Sequence, residues 1–195
     1  VILITIAFVL FGCTLEEDSV TNLSGATKMC PVDAVSGGGG HTCVLLENNQ
    51  VQCWGSNSAG QLGDGTTTNR SAPVSVSGIS SATQINAGSG GSHSCALLSN
   101  NTVQCWGSNG YGQLGDGTTT NRTTPVPLSG ISNATTVAAG EGHTCALLDN
   151  NTVQCSGRND TGQLGDGTIT QRTTPVAVSG ISNATTVSTG DFHSC

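Results

Sequence analysis

One phrase written four times constrains what this chain can fold into. It reads His41-Thr-Cys-Val-Leu-Leu, His93-Ser-Cys-Ala-Leu-Leu and His143-Thr-Cys-Ala-Leu-Leu, then His193-Ser-Cys, at intervals of 52, 50 and 50 residues. Val-Gln-Cys keeps the same period at Val51, Val103 and Val153, and Gly-Gln-Leu-Gly-Asp-Gly does so at Gly60, Gly112 and Gly162. Arg70, Arg122 and Arg172 each stand three residues before Pro73, Pro125 and Pro175, and Ser-Gly-Ile-Ser follows at Ser77, Ser129 and Ser179. Such a period means that each unit is a small piece of structure that cannot bury its apolar face alone and stacks on the next copy. The tandem repeats occupy residues 31–195, in units of approximately 31–82, 83–134 and 135–185 with the start of another at 186–195.

Composition narrows the kind of unit. Only 9% of the 195 residues are charged and 3% are aromatic, whereas glycine alone contributes 28. A helical bundle needs Leu, Ala, Glu and Lys in quantity. Twelve acidic against five basic residues give a net charge of −7 and a surface that repels phosphate, so no nucleic-acid partner is expected. In the third unit Thr135–Ala139, His143–Leu148 and Thr152–Cys155 read as strands, with Pro125–Ser129 or Pro175–Ser179 as the strand that ends a unit. Asp149-Asn150-Asn151 supplies a turn suited to Asn in the left-handed conformation, which sets Cys145 opposite Cys155 and Leu147 opposite Val153. Four short antiparallel strands in about 50 residues make one blade of a β-propeller. The fold class expected is therefore all-β: a partial propeller of about three four-stranded blades and the start of a fourth.

These residues resemble the regulator-of-chromosome-condensation repeats, including the bacterial α-tubulin-suppressor-like branch. The likeness rests on Gly140–Leu147, on Val103 with Trp106-Gly107 and Asn109, and on Gly112–Gly115, and it covers roughly residues 31–195. It implies a seven-bladed ring, for which seven units of this length need about 350 residues. A chain that starts at Val1 and stops at Cys195 then reads as a fragment, an open arc with an exposed apolar end face. Ser156 departs from the column held by Trp54 and Trp106, so the third blade loses an aromatic contact. Kelch repeats share the period but need a Gly doublet and other aromatic placement, and WD repeats need a terminal Trp-Asp.

The N-terminus differs in kind. Val1–Gly12 is a continuous apolar run, too short for a spanning helix of about 20 residues but matching a signal-peptide core. Leu10-Phe11-Gly12-Cys13 resembles a bacterial lipobox, which implies a lipid on Cys13 as the one attachment to membrane. Residues 13–30, with Glu16, Glu17 and Asp18, read as a polar tether. Cysteine usage fits an exported chain. Cys43 and Cys53, Cys95 and Cys105, and Cys145 and Cys155 span the hairpins at facing positions, where each disulfide would contribute about 3 kcal/mol in the chain-entropy account. A zinc site at His41, Cys43 and Cys53 lacks a fourth ligand and the short Cys-x₂₋₄-Cys spacing. Cys30 has no partner in its own unit, and Cys195 is expected to pair beyond residue 195. The expected location is the bacterial cell envelope, lipid-anchored at the outer membrane or cell surface, or the secreted fraction.

No nucleophile–base–acid set is found, so no enzyme activity and no cofactor are expected. Gly110-x-Gly112-x-x-Gly115 matches a dinucleotide fingerprint, but Ser58 and Asp160 take its first position in the other units and no helix follows. Asp64, Asp116 and Asp166 each stand alone between glycines and read as turn caps, not as a calcium loop. The periodic histidines are expected to satisfy a backbone group inside their own blade, and the periodic arginines to pair within their own loop. What varies between units is the loop after the third strand: Ser56-Asn-Ser-Ala59, Ser108-Asn-Gly-Tyr111 and Arg158-Asn-Asp-Thr161. Loops on a rigid scaffold carry binding, so Asn57, Tyr111 and Asp160 are the partner-binding candidates, with Tyr111 as anchor. The expected function is a non-catalytic extracytoplasmic or cell-surface scaffold that binds a protein or glycan. The alternatives are guanine-nucleotide exchange on a small GTPase, which the resembled family's founding member performs, and secreted enzyme inhibition.

Overall fold

A computed structural model describes residues 31–195. The signal-like run, the tether, the lipid-attachment position Cys13 and the unassigned Cys30 lie outside the described residues. Twelve strands form three four-stranded antiparallel sheets, each in chain order. The first blade holds β1 (Val32–Gly37), β2 (His41–Leu46), β3 (Val51–Gly55) and β4 (Arg70–Ser75). The second holds β5 (Ala82–Ala87), β6 (His93–Leu98), β7 (Val103–Gly107) and β8 (Arg122–Pro127). The third holds β9 (Ala134–Ala139), β10 (His143–Leu148), β11 (Val153–Gly157) and β12 (Arg172–Ala177). A further unit begins with a bridge between Thr189 and Ser194.

The hairpin register is the expected one: Cys145 faces Cys155, Leu147 faces Val153, and Asn49, Asn101 and Asn151 take the left-handed conformation in their turns. The facing cysteines are joined as disulfides in every hairpin. Cys43 is bonded to Cys53, Cys95 to Cys105 and Cys145 to Cys155, each pair with Cα atoms 4.1 Å apart. All six of these cysteines are fully buried, whereas Cys195 is an exposed free thiol. The closing strand begins earlier than its apolar residues suggest. Arg122 already pairs with Gly107 and Arg172 with Gly157 across a bulge, so polar Arg-Thr-Thr opens a strand that reads from sequence as starting at the proline. Pro73, Pro125 and Pro175 sit in β4, β8 and β12, the outermost strands, where a missing N–H costs no ladder bond.

The core lies between blades. One cluster joins Cys43, Leu45, Val51 and Cys53 of the first blade to Ile85, Ala96, Leu98 and Trp106 of the second. A second joins Cys95, Cys105 and Leu114 to Val137, Ala146 and Leu148. Every residue of β6 and β10 is buried because alternate side chains pack on the preceding and the following blade. The innermost strands are stitched by side chains. Ser36 Oγ accepts the Ala87 N–H at 2.9 Å, and Gln84 and Asn86 accept the Val137 and Ala139 N–H groups at 3.0 Å.

Candidate functional site

The first–second turn and the third–fourth loop of each sheet lie at the same end, so they build one face of the arc. The long third–fourth loop is held by a polar frame repeated in each blade. Asn57 Oδ1 accepts the Leu62 N–H at 3.0 Å, while its Nδ2 donates to Asp64 Oδ1 and to the Thr66 and Thr68 carbonyls at 3.1 Å. Asp64 Oδ1 caps the turn by accepting the Thr66 N–H (3.0 Å) and hydroxyl (2.7 Å), and Oδ2 receives Arg70 at 2.8–2.9 Å. Asn109, Asp116 and Arg122, then Asn159, Asp166 and Arg172, repeat the arrangement. Burial alone would raise the Asp64 and Asp116 carboxyls, but hydrogen bonds from Thr66 and Arg70, or from Thr118 and Arg122, leave both below the usual range. The Thr168 hydroxyl and Arg172 help pull Asp166 down to about 2. This frame corrects one expectation. Asn57 is fully buried, its amide spent on its own loop, so it holds the loop and cannot touch a partner.

The histidines also differ from expectation. Each reaches into the next blade instead of satisfying a backbone group in its own. His41, His93 and His143 Nε2 lie 2.7, 2.9 and 3.0 Å from the hydroxyls of Ser94, Thr144 and Ser194. The Ser94 and Ser194 hydroxyls donate to the Gln61 and Gln163 carbonyls, so the ring is the donor in those two pairs. Burial lowers His41 and His143 to about 4 and His93 to about 3, which keeps them neutral at pH 7. The His41 and His143 rings pack so close to their turns that a Cβ at Gly38 or Gly140 would overlap them, which explains Gly-x-x-His in those two units.

A different set of residues meets on the exposed surface of this face. The Arg158 guanidinium lies over two rings, 5.3 Å from the Tyr111 centroid and 5.1 Å from that of Phe192. Its Nε and Nη2 donate to both oxygens of Asp160 at 2.8 and 2.7 Å, and Nη1 reaches Glu141 at 3.3 Å. Hydrogen bonding to Asp160 raises Arg158 above its usual value and lowers Asp160. The Tyr111 ring rests over Gly142, where a Cβ would come within 3.1 Å of it. Tyr111 and Phe192 are 44% and 49% exposed and belong to none of the clusters between blades.

Every member of the cluster departs from its column of the repeat. Tyr111 stands where other units have Ala59 and Thr161, Arg158 where they have Ser56 and Ser108, and Asp160 where they have Ser58 and Gly110. Glu141 stands where the first two units have Gly39 and Gly91 and the last has Asp191, and Phe192 replaces Gly40, Ser92 and Gly142. The fold does not require these choices: Ser56 and Ser108 accept a weak bond from Gln61 and Gln113, and in the third blade Gln163 turns to Asp160 instead. Of the loop residues singled out from sequence, Tyr111 and Asp160 come together and Asn57 does not. Arg158, Glu141 and Phe192 were missed as a group, although their departure from the columns is visible in the sequence. Among the described residues no group of three or more His, Cys, Asp or Glu is placed to hold a metal.

The family model described as Regulator of chromosome condensation (RCC1) repeat matches residues 48–97, 100–147 and 152–195, and a second RCC1 repeat model matches 32–61, 82–113 and 134–163. The chain is 33% identical over 103 residues to the RCC1 domain-containing protein RUG3, mitochondrial, of Arabidopsis thaliana, covering 53% of this chain and 23% of that protein. It is 31% identical over 118 residues to the ultraviolet-B receptor UVR8 of the same plant, covering 60% and 27%. Among solved structures, yeast RCC1 (Prp20) bound to Kap60 superposes with a TM-score of 0.72 at 23% identity, over 87% of this chain and 42% of that one. Human WBSCR16 does so at 0.72 and 24%, over 82% and 43%. The chain thus spans about a quarter of these curated relatives and less than half of the solved chains.

Proposed function

The chain belongs to the regulator of chromosome condensation (RCC1) repeat family, and from that premise we propose that it is a non-catalytic binding propeller working outside the cytoplasm. The observation that carries this reading is the convergence of five residues that differ between the units, drawn from three consecutive units, on one exposed spot of the loop face. A scaffold under packing constraint alone has no reason to concentrate its departures in one place. Three buried disulfides support an oxidising compartment. Attachment to the envelope would come from a lipid on Cys13. The partner is a protein or a glycan. Nucleotide exchange and enzyme inhibition rest on family likeness alone.

Two measurements test the proposal. Intact mass of chain isolated from its host, alkylated before and after reduction, is expected to show the three disulfides and a lipid-sized addition at Cys13. Free thiols throughout would remove the chain from the envelope. A photo-crosslinking residue at Tyr111 is expected to give a discrete adduct in the host, whereas the same residue at Asn100, on the opposite end of the sheets, gives none. Equal adducts at both positions, or none at either, would sink the loop-face assignment.

A further inference from the structure

Resting on the loop face as the binding surface, we infer the chemistry of what it binds: a basic segment of a protein partner, whose arginine takes the place that Arg158 now occupies. Tyr111, Phe192, Asp160 and Glu141 together make a complete receptor for a guanidinium. Two ring faces lie within 5.3 Å of the cation, one carboxylate grips it through two bonds and a second approaches its far nitrogen. The residue filling it belongs to the chain itself, yet the blade does not need that residue, because serine serves at the same column of the other two blades. Arg158 is thus a resident stand-in for a ligand of its own kind.

Charge points the same way. Glu141 and Asp160 oppose a single arginine, so the patch keeps an acidic excess after its internal pairing. The whole chain carries −7. Such a surface attracts cationic segments and repels acidic ones. The carboxylates are the more exposed partners of their ion pairs, at 39% and 56% against 23% for Arg158, so an incoming cation reaches them before the resident one leaves. Exchange of one guanidinium for another leaves no buried charge unpaired, which makes the step cheap.

The test uses the oxidised 195-residue chain and two labelled hexapeptides of alternating glycine with arginine or with glutamate. Fluorescence anisotropy is read at about 50 mM salt, where screening is weak. The arginine peptide is expected to bind and the glutamate peptide to remain free. Arg158→Ala, by vacating the receptor, is expected to tighten the arginine peptide about tenfold, whereas Glu141→Gln with Asp160→Asn weakens it about tenfold. Arg158→Gln repeats the gain, and the melting temperature of each variant verifies folding. If Arg158→Ala weakens binding as Tyr111→Ala does, Arg158 is itself a contact and the exchange is refuted. Preferential binding of the glutamate peptide would refute the cationic partner and leave the loop face intact as a binding surface. Failure of both peptides to bind, with a discrete Tyr111 adduct still formed in the host, would refute this inference and spare the wider one.

Discussion

The first and second blade junctions are built on the same columns and filled differently. In the first, Trp106 lies fully buried beside Gly63 and Val76, where a Cβ on the glycine would come within 2.9 Å of both, and its Nε1 donates to the Gln61 carbonyl at 2.9 Å. In the second, Ser156 takes the tryptophan column, and Leu128 replaces Val76 and reaches beneath Gly115. An added methylene in one column thus offsets part of the volume lost in the other, as expected where the packed volume matters more than the identity of one residue. The compensation is incomplete. The Ser156 hydroxyl is buried without a hydrogen-bond partner in the protein, a cost in addition to the unpaired histidine Nδ1 that both junctions carry.

Acid strikes both junctions and is expected to have the largest effect. Unfolded histidines titrate near pH 6.5, whereas burial holds His41 at about 4 and His93 at about 3. Between those values the unfolded chain binds protons that the folded chain refuses. Stability is therefore complete above about pH 6.5, falls as pH drops below it, and levels off near the folded values. The urea midpoint followed from pH 7 to pH 4 should decline, and His41→Gln should flatten part of the slope; a flat profile in the parent would remove the histidines from the junctions. Next comes Trp106→Ala, expected to cost about 3–5 kcal/mol in urea unfolding through loss of the ring and its hydrogen bond. A cost below that of an ordinary surface change would show that the first junction is no better packed than the second. Smallest, and opposite in sign, is Ser156→Ala, expected to stabilise by up to about 1 kcal/mol by removing the unpaired hydroxyl. Destabilisation on calorimetry would show that the hydroxyl has a partner after all.

The architecture was legible because the same words recur. A period near 50 residues set the unit, and facing cysteines in a hairpin of fixed length set the register of β2–β3, β6–β7 and β10–β11. The strand that closes each blade was placed late, because Arg172-Thr-Thr carries no apolar alternation and its pairing with Gly157 depends on a bulge. The histidine bonds were invisible for another reason: His41 and Ser94 are 53 residues apart, and no single unit contains both partners. The same holds for the site. Tyr111 and Asp160 could be picked as variable loop residues, but only the turning of one blade against the next brings Arg158 over both Tyr111 and Phe192. Asn57 misled because it shares a variable loop while occupying one of its invariant columns, alongside Asn109 and Asn159.

The stitching between blades has a polarity. Ser36, Gln84 and Asn86 each offer an oxygen to the blade that follows, and each histidine reaches forward to a hydroxyl there. The leading and trailing flanks of a blade are consequently unlike surfaces that fit each other and not themselves. Contact through these flanks is heterologous: it can run only head to tail, as beads threaded in one sense, and it offers no two-fold axis. Whether such a series ends depends on the turn between successive members, which either brings the last flank round to the first or lets the stack grow as a filament.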